Sequence, residues 1–185
     1  MKLTTWEARL TLPVSPGRDH IRGPLDAPVT LLEYGDYECP YCGLAHPIVC
    51  AVQQEMGNTL RFVFRHFPLT TVHPYAELAA EAAEAAGAQR KFWAMHDLLY
   101  ENQQQLDPPH LLAYAESLGL NLKRFGGDLG QHVYAPKIRE DFLSGVRSGV
   151  NGTPTFFING VRHDGPWDFA TLLAAVQQAH ARVTA

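Results

Sequence analysis

Residues 29–57 constrain the fold of this 185-residue chain more than any other stretch. They begin with an apolar run, Val29-Thr30-Leu31-Leu32-Glu33-Tyr34, which follows the turn-forming pairs Gly23-Pro24 and Ala27-Pro28, a pattern that predicts a buried strand. Cys39-Pro40-Tyr41-Cys42 comes next, and Pro40 suits a first helical position because its missing N–H costs nothing there. From Pro40 to Gly57, the four-residue steps of Leu44, Ile48, Val52 and Met56 predict a helix with one apolar face, stopped at Gly57-Asn58 and kinked at Pro47. The β-forming run Leu60-Arg61-Phe62-Val63-Phe64-Arg65, closed by Pro68, predicts a second strand and completes a βαβ unit.

The rest of the chain surrounds that unit. Residues 73–149 have helix-forming composition and no strand pattern, with breaks expected at Gly87, Asp107-Pro108-Pro109, Gly119 and Gly126-Gly127, so they read as a helical insertion of several short helices. Thr155-Phe156-Phe157-Ile158 and Val161-Arg162-His163 flank Asn159-Gly160, whose tolerance of positive φ marks a two-residue hairpin turn. An amphipathic helix from Trp167 to Val183, with Phe169, Leu172, Leu173 and Val176 inward, closes the chain. The expected architecture is a mixed α/β sheet covered by helices. It divides into residues 1–25 as an N-terminal arm or edge strand and residues 26–185 as one domain. Thr4 to Val14 reads equally as an extra edge strand or as an arm.

Composition narrows the function. A formal net charge of -4 with 18% charged residues holds no basic excess for nucleic acid or an anionic membrane. Glu7 and Arg9 interrupt the place where a secretory signal needs an apolar stretch. The Ala-rich run after Ala76 is broken by Glu77, Glu81 and Glu84, short of the ~18 apolar residues a bilayer span needs. The expectation is a cytoplasmic protein, or a periplasmic or otherwise extracytoplasmic one if a leader was removed.

All three cysteines, Cys39, Cys42 and Cys50, lie in one short stretch and cannot staple distant parts of the chain. At the start of a helix, free backbone N–H groups and the dipole favour a thiolate, which makes Cys39 the attacking sulfur. Cys42, one turn deeper, can close a disulfide with it. Half of a zinc site has the same spacing. Adding His46 and Cys50 to Cys42 makes a tempting ligand list, but eight residues of helix rise ~12 Å, too far for one tetrahedral ion on an intact helix. Cys50 then reads as a small buried hydrophobe and His46 as a surface or helix-packing histidine.

Two further positions bear on this chemistry. Pro154, in Gly152-Thr153-Pro154-Thr155-Phe156, either opens a strand in the ordinary trans form or is cis and exposes the backbone of Thr153 to an extended substrate. Glu33 is either a buried acid of raised pKa that exchanges a proton with Cys42 or a solvated edge carboxylate, and periodicity leaves both open. Asp36 and Glu38 add negative charge that opposes thiolate formation.

Taken together, residues 26–42, Phe64-Arg65-His66-Phe67-Pro68 and residues 152–160 resemble, in order, the motifs of the DsbA-like branch of the thioredoxin superfamily. The resemblance runs from about Asp26 to the C-terminus. It implies a thioredoxin-like fold with a helical insertion, a nucleophilic Cys39, a resolving Cys42, a cis-Pro154 that contacts substrate with Thr153, Pro40 and Tyr41, and a proton-relaying Glu33. Protein disulfides or dithiols are the implied substrates, with a redox protein or glutathione as electron partner, in a monomer that needs no metal or organic cofactor. The Pro-Tyr dipeptide departs from the Pro-His of the family's strongest oxidants, and cytosolic placement favours reduction or redox sensing. Two rival readings are a glutathione-linked enzyme similar to kappa-type transferases and a non-catalytic zinc module. Tyr41, Phe156 and Trp167 offer an apolar surface near the expected groove, with core packing as the alternative for Phe156.

Overall fold

In the computed structural model, which describes residues 8–185, every residue of β2 (Val29–Gly35) is buried. It is flanked by parallel β3 (Leu60–His66) on one side and antiparallel β4 (Thr155–Ile158) on the other. β1 (His20–Arg22) pairs antiparallel with β3, and β5 (Val161–His163) with β4, which gives a five-stranded sheet in the order β1-β3-β2-β4-β5. Helix α1 (Pro40–Met56) makes the crossover between the two parallel strands. Five helices then fill the interval between β3 and β4: α2 (Ala76–Gly87), α3 (Phe92–Glu101), α4 (Pro108–Ser117), α5 (Leu122–Gly130) and α6 (Ala135–Arg147). α7 (Phe169–Thr184) closes the chain, N-capped by Asp168, which accepts from the Thr171 N–H. No helix among the described residues is long and apolar enough to cross a membrane.

The two faces of the sheet follow the period-2 alternation of its strands. Val29, Leu31, Phe62, Phe64, Phe156 and Ile158 face a large core shared with α1, α7 and the inserted helices. Leu32, Tyr34, Val63 and Phe157 face a smaller core with Val150 and Phe67, closed by Leu10, Val14 and Phe142. α2 is buried nearly all round, and its run of alanines allows this close approach to neighbouring elements.

Several local expectations need correction. The fully buried residues of α1 are Cys42, Ala45, Val49 and Val52; of the expected face Val52 is among them, Ile48 and Met56 pack half-buried against the same core, and Leu44 is 62% exposed. Cys50 is likewise half-buried, its Sγ 3.9 Å from His46 Nε2, so it is not the core residue expected. Gly126-Gly127 lies inside α5 and breaks nothing, because the Asn121 cap and the inward Phe125 and Leu129 hold that helix. Phe169, expected inward, is exposed on the first turn of α7. A short strand that the sequence did not announce lies at 20–22. Thr4 to Glu7 are outside the described residues, and residues 8–10 run beside β5 through a single bridge, Arg9 to Val161.

A buried cation holds that N-terminal segment to the sheet. Arg65 of β3 points to the smaller core, where its Nε and Nη2 donate to the Asp19 carboxylate at 2.8 and 3.0 Å. It also donates to the Leu12 and Pro13 carbonyls and the Tyr34 hydroxyl. Burial of an ion pair is tolerable only with its hydrogen bonds complete, and here they are. Arg65→Met should therefore cost about 3–5 kcal/mol of stability, read as a lower urea midpoint, and should expose residues 8–19 to proteolysis.

Candidate active site

The path of the backbone from β2 into α1 places Cys39. It is the N-cap residue of α1, with φ -70° and ψ 121°, and Pro40 holds the first helical position. No side chain caps this end, so the first-turn N–H groups of Tyr41 and Cys42 are free to point at the Cys39 sulfur. The Cys42 thiol donates to the same sulfur, and together these donors outweigh burial and lower the Cys39 pKa to about 5. Cys42 has the opposite fate. It is fully buried beneath the helix, and burial, the hydrogen bond to Cys39 and the charge of Glu33 push its thiol well above the ordinary range. One sulfur is held as an anion and its neighbour as an acid, the arrangement a nucleophile and a resolving thiol need.

Glu33 is on the large-core face of β2, in the same row as Val29 and Leu31, and its pairing to Phe64 and Phe156 encloses it. It is 2% exposed. Burial, with the Cys39 charge adding to it, raises its pKa to about 8. The solvated alternative for this residue is therefore excluded.

The Thr153–Pro154 peptide is cis. Antiparallel pairing of β4 with β2, Tyr34 opposite Thr155, brings this loop across 114 residues of sequence to Cys39. The Cys39 thiol donates to the Thr153 carbonyl at 3.4 Å. The Thr153 hydroxyl, buried and otherwise unpartnered, is the group that donates to the thiolate once the proton has left. Tyr41, 64% exposed, and Leu44 stand on the open side of this junction. Of the three aromatics considered for an apolar surface, Phe156 is buried in the core, Trp167 packs half-buried against it, and Tyr41 is exposed.

Asp36 and Glu38 have structural partners. Asp36 accepts from the Glu38 and Leu69 N–H groups and is bonded to His73 Nδ1, while Glu38 accepts from the Tyr75 N–H. They tie the loop before Cys39 to the loop after β3. Gln103, which the sequence did not single out, donates to the carbonyls of Tyr37 and Cys39, both at 2.8 Å. A Cβ at Gly43 would collide with its side-chain amide, so the hydrogen bonds of Gln103 as they stand use the space that glycine leaves open. A lone glutamine past the end of a helix carries no sequence signal for such a role.

The zinc geometry is not assembled. Among the described residues the groups that could hold a metal are His46 with His96 and Asp97, and His66 with Glu84 and Asp141, and neither includes a cysteine.

A C-x-x-C at the head of the helix that follows the central strand, faced by a cis-proline loop, defines a thioredoxin-fold protein, here with five helices inserted between β3 and β4. The chain belongs to the thioredoxin family, whose model, described as thioredoxin, matches residues 15–178. It is 55% identical over 172 residues to a protein named Na(+)/H(+) antiporter NhaA 1 from Salinispora arenicola, a match that covers 93% of this chain and 26% of that one. The chain thus spans about a quarter of the length of the curated relatives it matches. In structure it is similar to oxidised BdbD from Bacillus subtilis, with a TM-score of 0.83, 22% identity and coverage of 95% of this chain and 97% of that one. It is also similar to a thioredoxin-like oxidoreductase from Silicibacter pomeroyi, with a TM-score of 0.79, 27% identity and coverage of 90% and 94%.

Two titrations test this site. Thiolate absorbance of the reduced protein should rise with a midpoint near pH 5 from Cys39 alone, and Thr153→Val, which removes a donor to the anion, should move that midpoint upward. For Glu33 the sign is opposite. The unfolded chain gives up this proton near 4.5 and the folded one near 8, so the associated stability is complete below pH 4.5 and is lost as pH rises to about 8. Glu33→Gln should therefore stabilise the reduced protein by on the order of 3 kcal/mol at pH 9, with little change at pH 4, measured by urea unfolding at both values.

Proposed function

We propose that this protein is a thiol-disulfide oxidoreductase acting on protein disulfides or dithiols through Cys39 and Cys42. The observation that carries the reading is the opposed environment of the two sulfurs, one stabilised as a thiolate at a helix N-terminus and the other buried and protonated above Glu33. In the reductive direction the Cys39 thiolate attacks a substrate disulfide, and one substrate sulfur leaves as a thiolate. Cys42 then passes its proton to the Glu33 carboxylate and attacks Cys39, releasing the second substrate thiolate and leaving the Cys39–Cys42 disulfide. The oxidative direction runs the same steps backward, with Glu33 returning the proton to Cys42. The Thr153 backbone beside Cys39, together with Pro154, Pro40 and exposed Tyr41, forms the surface against which an extended substrate segment lies. We assign glutathione or a redox protein as the electron partner and a monomer as the working unit. Similarity to antiporters over a quarter of their length carries no ion-exchange activity to this chain.

Equilibration with a glutathione series, read by thiol alkylation and mass, tests the proposal. A single two-electron couple that requires both Cys39 and Cys42 is expected, and Cys42→Ser should accumulate a mixed disulfide on Cys39. A potential near about -270 mV makes the protein a reductant and one near about -120 mV an oxidant. Absence of any couple, or a couple that survives Cys39→Ser, would overturn the assignment.

A further inference from the structure

Besides the Thr153 hydroxyl, two buried polar atoms near the cysteine pair lack hydrogen-bond partners: Glu33 Oε1 and the Tyr100 hydroxyl. They converge. A Cβ built on Gly35 would lie 2.7 Å from the Tyr100 oxygen and 2.9 Å from Glu33 Oε1, so both atoms border the same small space over the Gly35 backbone, walled by the Phe64 ring. An unsatisfied polar atom in a core is costly, and two of them facing one space call for a shared explanation.

The other donors near Glu33 are engaged. The Tyr37 hydroxyl is bonded to His96 Nδ1 at 3.0 Å, and the Cys42 thiol donates to Cys39. The titratable groups around Glu33 are Cys39 at the N-cap of α1, Cys42 and, farther along α1, Cys50 beside His46, Tyr37 from the loop before the helix and Tyr100 from α3. Tyr100 alone among them has a proton to give and no acceptor. Its ring is fixed between Tyr37, at 4.9 Å, and His46, stacked at 5.0 Å, so the hydroxyl is held in place by packing.

We propose that Tyr100 is the positioning residue for the proton acceptor of the exchange reaction, donating a hydrogen bond, directly or through one water, to the Glu33 carboxylate when Glu33 is ionised. This rests on the reading of Glu33 given above and extends it to α3. In the resolving step Cys42 loses a proton and Glu33 gains it, so the carboxylate must exist as an anion in a core that otherwise disfavours charge. The phenol stabilises that anion without surrendering its own proton, because burial and the nearby Cys42 and Glu33 hold its pKa well above the ordinary range. Gly35 is then required at its position, since any side chain there would fill the space the two oxygens share.

The test follows the Glu33 carboxyl carbon by NMR across pH in the reduced protein, with the rate of mixed-disulfide resolution measured over the same range. Tyr100→Phe keeps the ring and its contacts. It should move the Glu33 midpoint upward by about one pH unit and slow resolution at pH 7 about tenfold. In the unaltered protein the Tyr100 ring carbon bearing the hydroxyl should shift with the same midpoint as Glu33, a readout that needs no variant. A Glu33 midpoint unchanged in Tyr100→Phe, or a Tyr100 carbon that does not respond to Glu33, would overturn the proposal even if the variant were less stable. Failure of the underlying reading looks different: Glu33→Gln would then resolve mixed disulfides at the wild-type rate at every pH.

Discussion

Everything at the reactive junction depends on the antiparallel seating of β4 against β2. That register places Phe156 opposite Glu33 and Thr155 opposite Tyr34, and so delivers the Thr153-Pro154 loop to the head of α1. The contact joins segments 114 residues apart, and no local interaction could make it. Slipping β4 by one residue would turn Phe156 to the smaller core and Phe157 to the larger, reversing both faces of the strand. The apolar identity of both residues does not specify the register; the hairpin does. Asn159 and Gly160 both take positive φ, and the Asn159 side chain accepts from the Thr30 N–H while its own N–H donates to the Thr30 carbonyl. The turn is thus clamped to β2, and this fixes the position of the loop two residues before the strand.

The same alternation that sorts the two cores decides the chemistry. On β2 the odd residues face α1, and Glu33 is the one polar member of that row, so it sits beneath the helix carrying both cysteines. The two sulfurs and the carboxyl lie close together yet are tuned apart. Cys39 has helix N–H groups, a neighbouring thiol and Thr153 as donors, and its proton is held weakly. Cys42 and Glu33 have burial and a neighbouring anion, and theirs are held tightly. Raising Glu33 from the ordinary carboxylate range to about 8 brings its proton affinity toward that of a thiol, so it can take a proton that an ordinary carboxylate in water would not hold.

The sequence made the strands of the βαβ unit, the hairpin and the cysteine pair legible because each has a short-range signature: apolar runs, a positive-φ turn, a proline at a helix start. The inserted helices were legible as helices, and Gly87, Asp107-Pro108 and Gly119 marked three of their boundaries. The face of α1 was read in part. Of Leu44, Ile48, Val52 and Met56 only Leu44 turns outward, but the centre of the packing surface is the small residues Cys42, Ala45 and Val49, which let the helix approach the sheet closely. β1 was missed because three residues with a single aliphatic one between His20 and Arg22 carry no period. Arg65 was legible only as part of a strand. That it is buried, and holds the N-terminal segment through Asp19, follows from tertiary pairing that sequence periodicity does not encode.

The insertion is more than a cover for the sheet. Helix α3 supplies the ring of Tyr100 against His46 and Tyr37, the His96 partner of the Tyr37 hydroxyl, and, just past its end, the Gln103 amide that grips the carbonyls of Tyr37 and Cys39. These contacts reach the reactive loop independently of the Thr153 loop, so the start of α1 is held by two segments distant in sequence. The glycines on either side record how close that grip is: Gly35 beneath it, where Tyr100, Glu33 and Phe64 converge, and Gly43 within it, against Gln103. A reactive thiolate needs donors that do not move away when charge develops, and neighbours fixed by packing and hydrogen bonds provide that. Variation in α3 would therefore alter the proton affinity of the buried acid, and the hold on Cys39, without touching either sulfur.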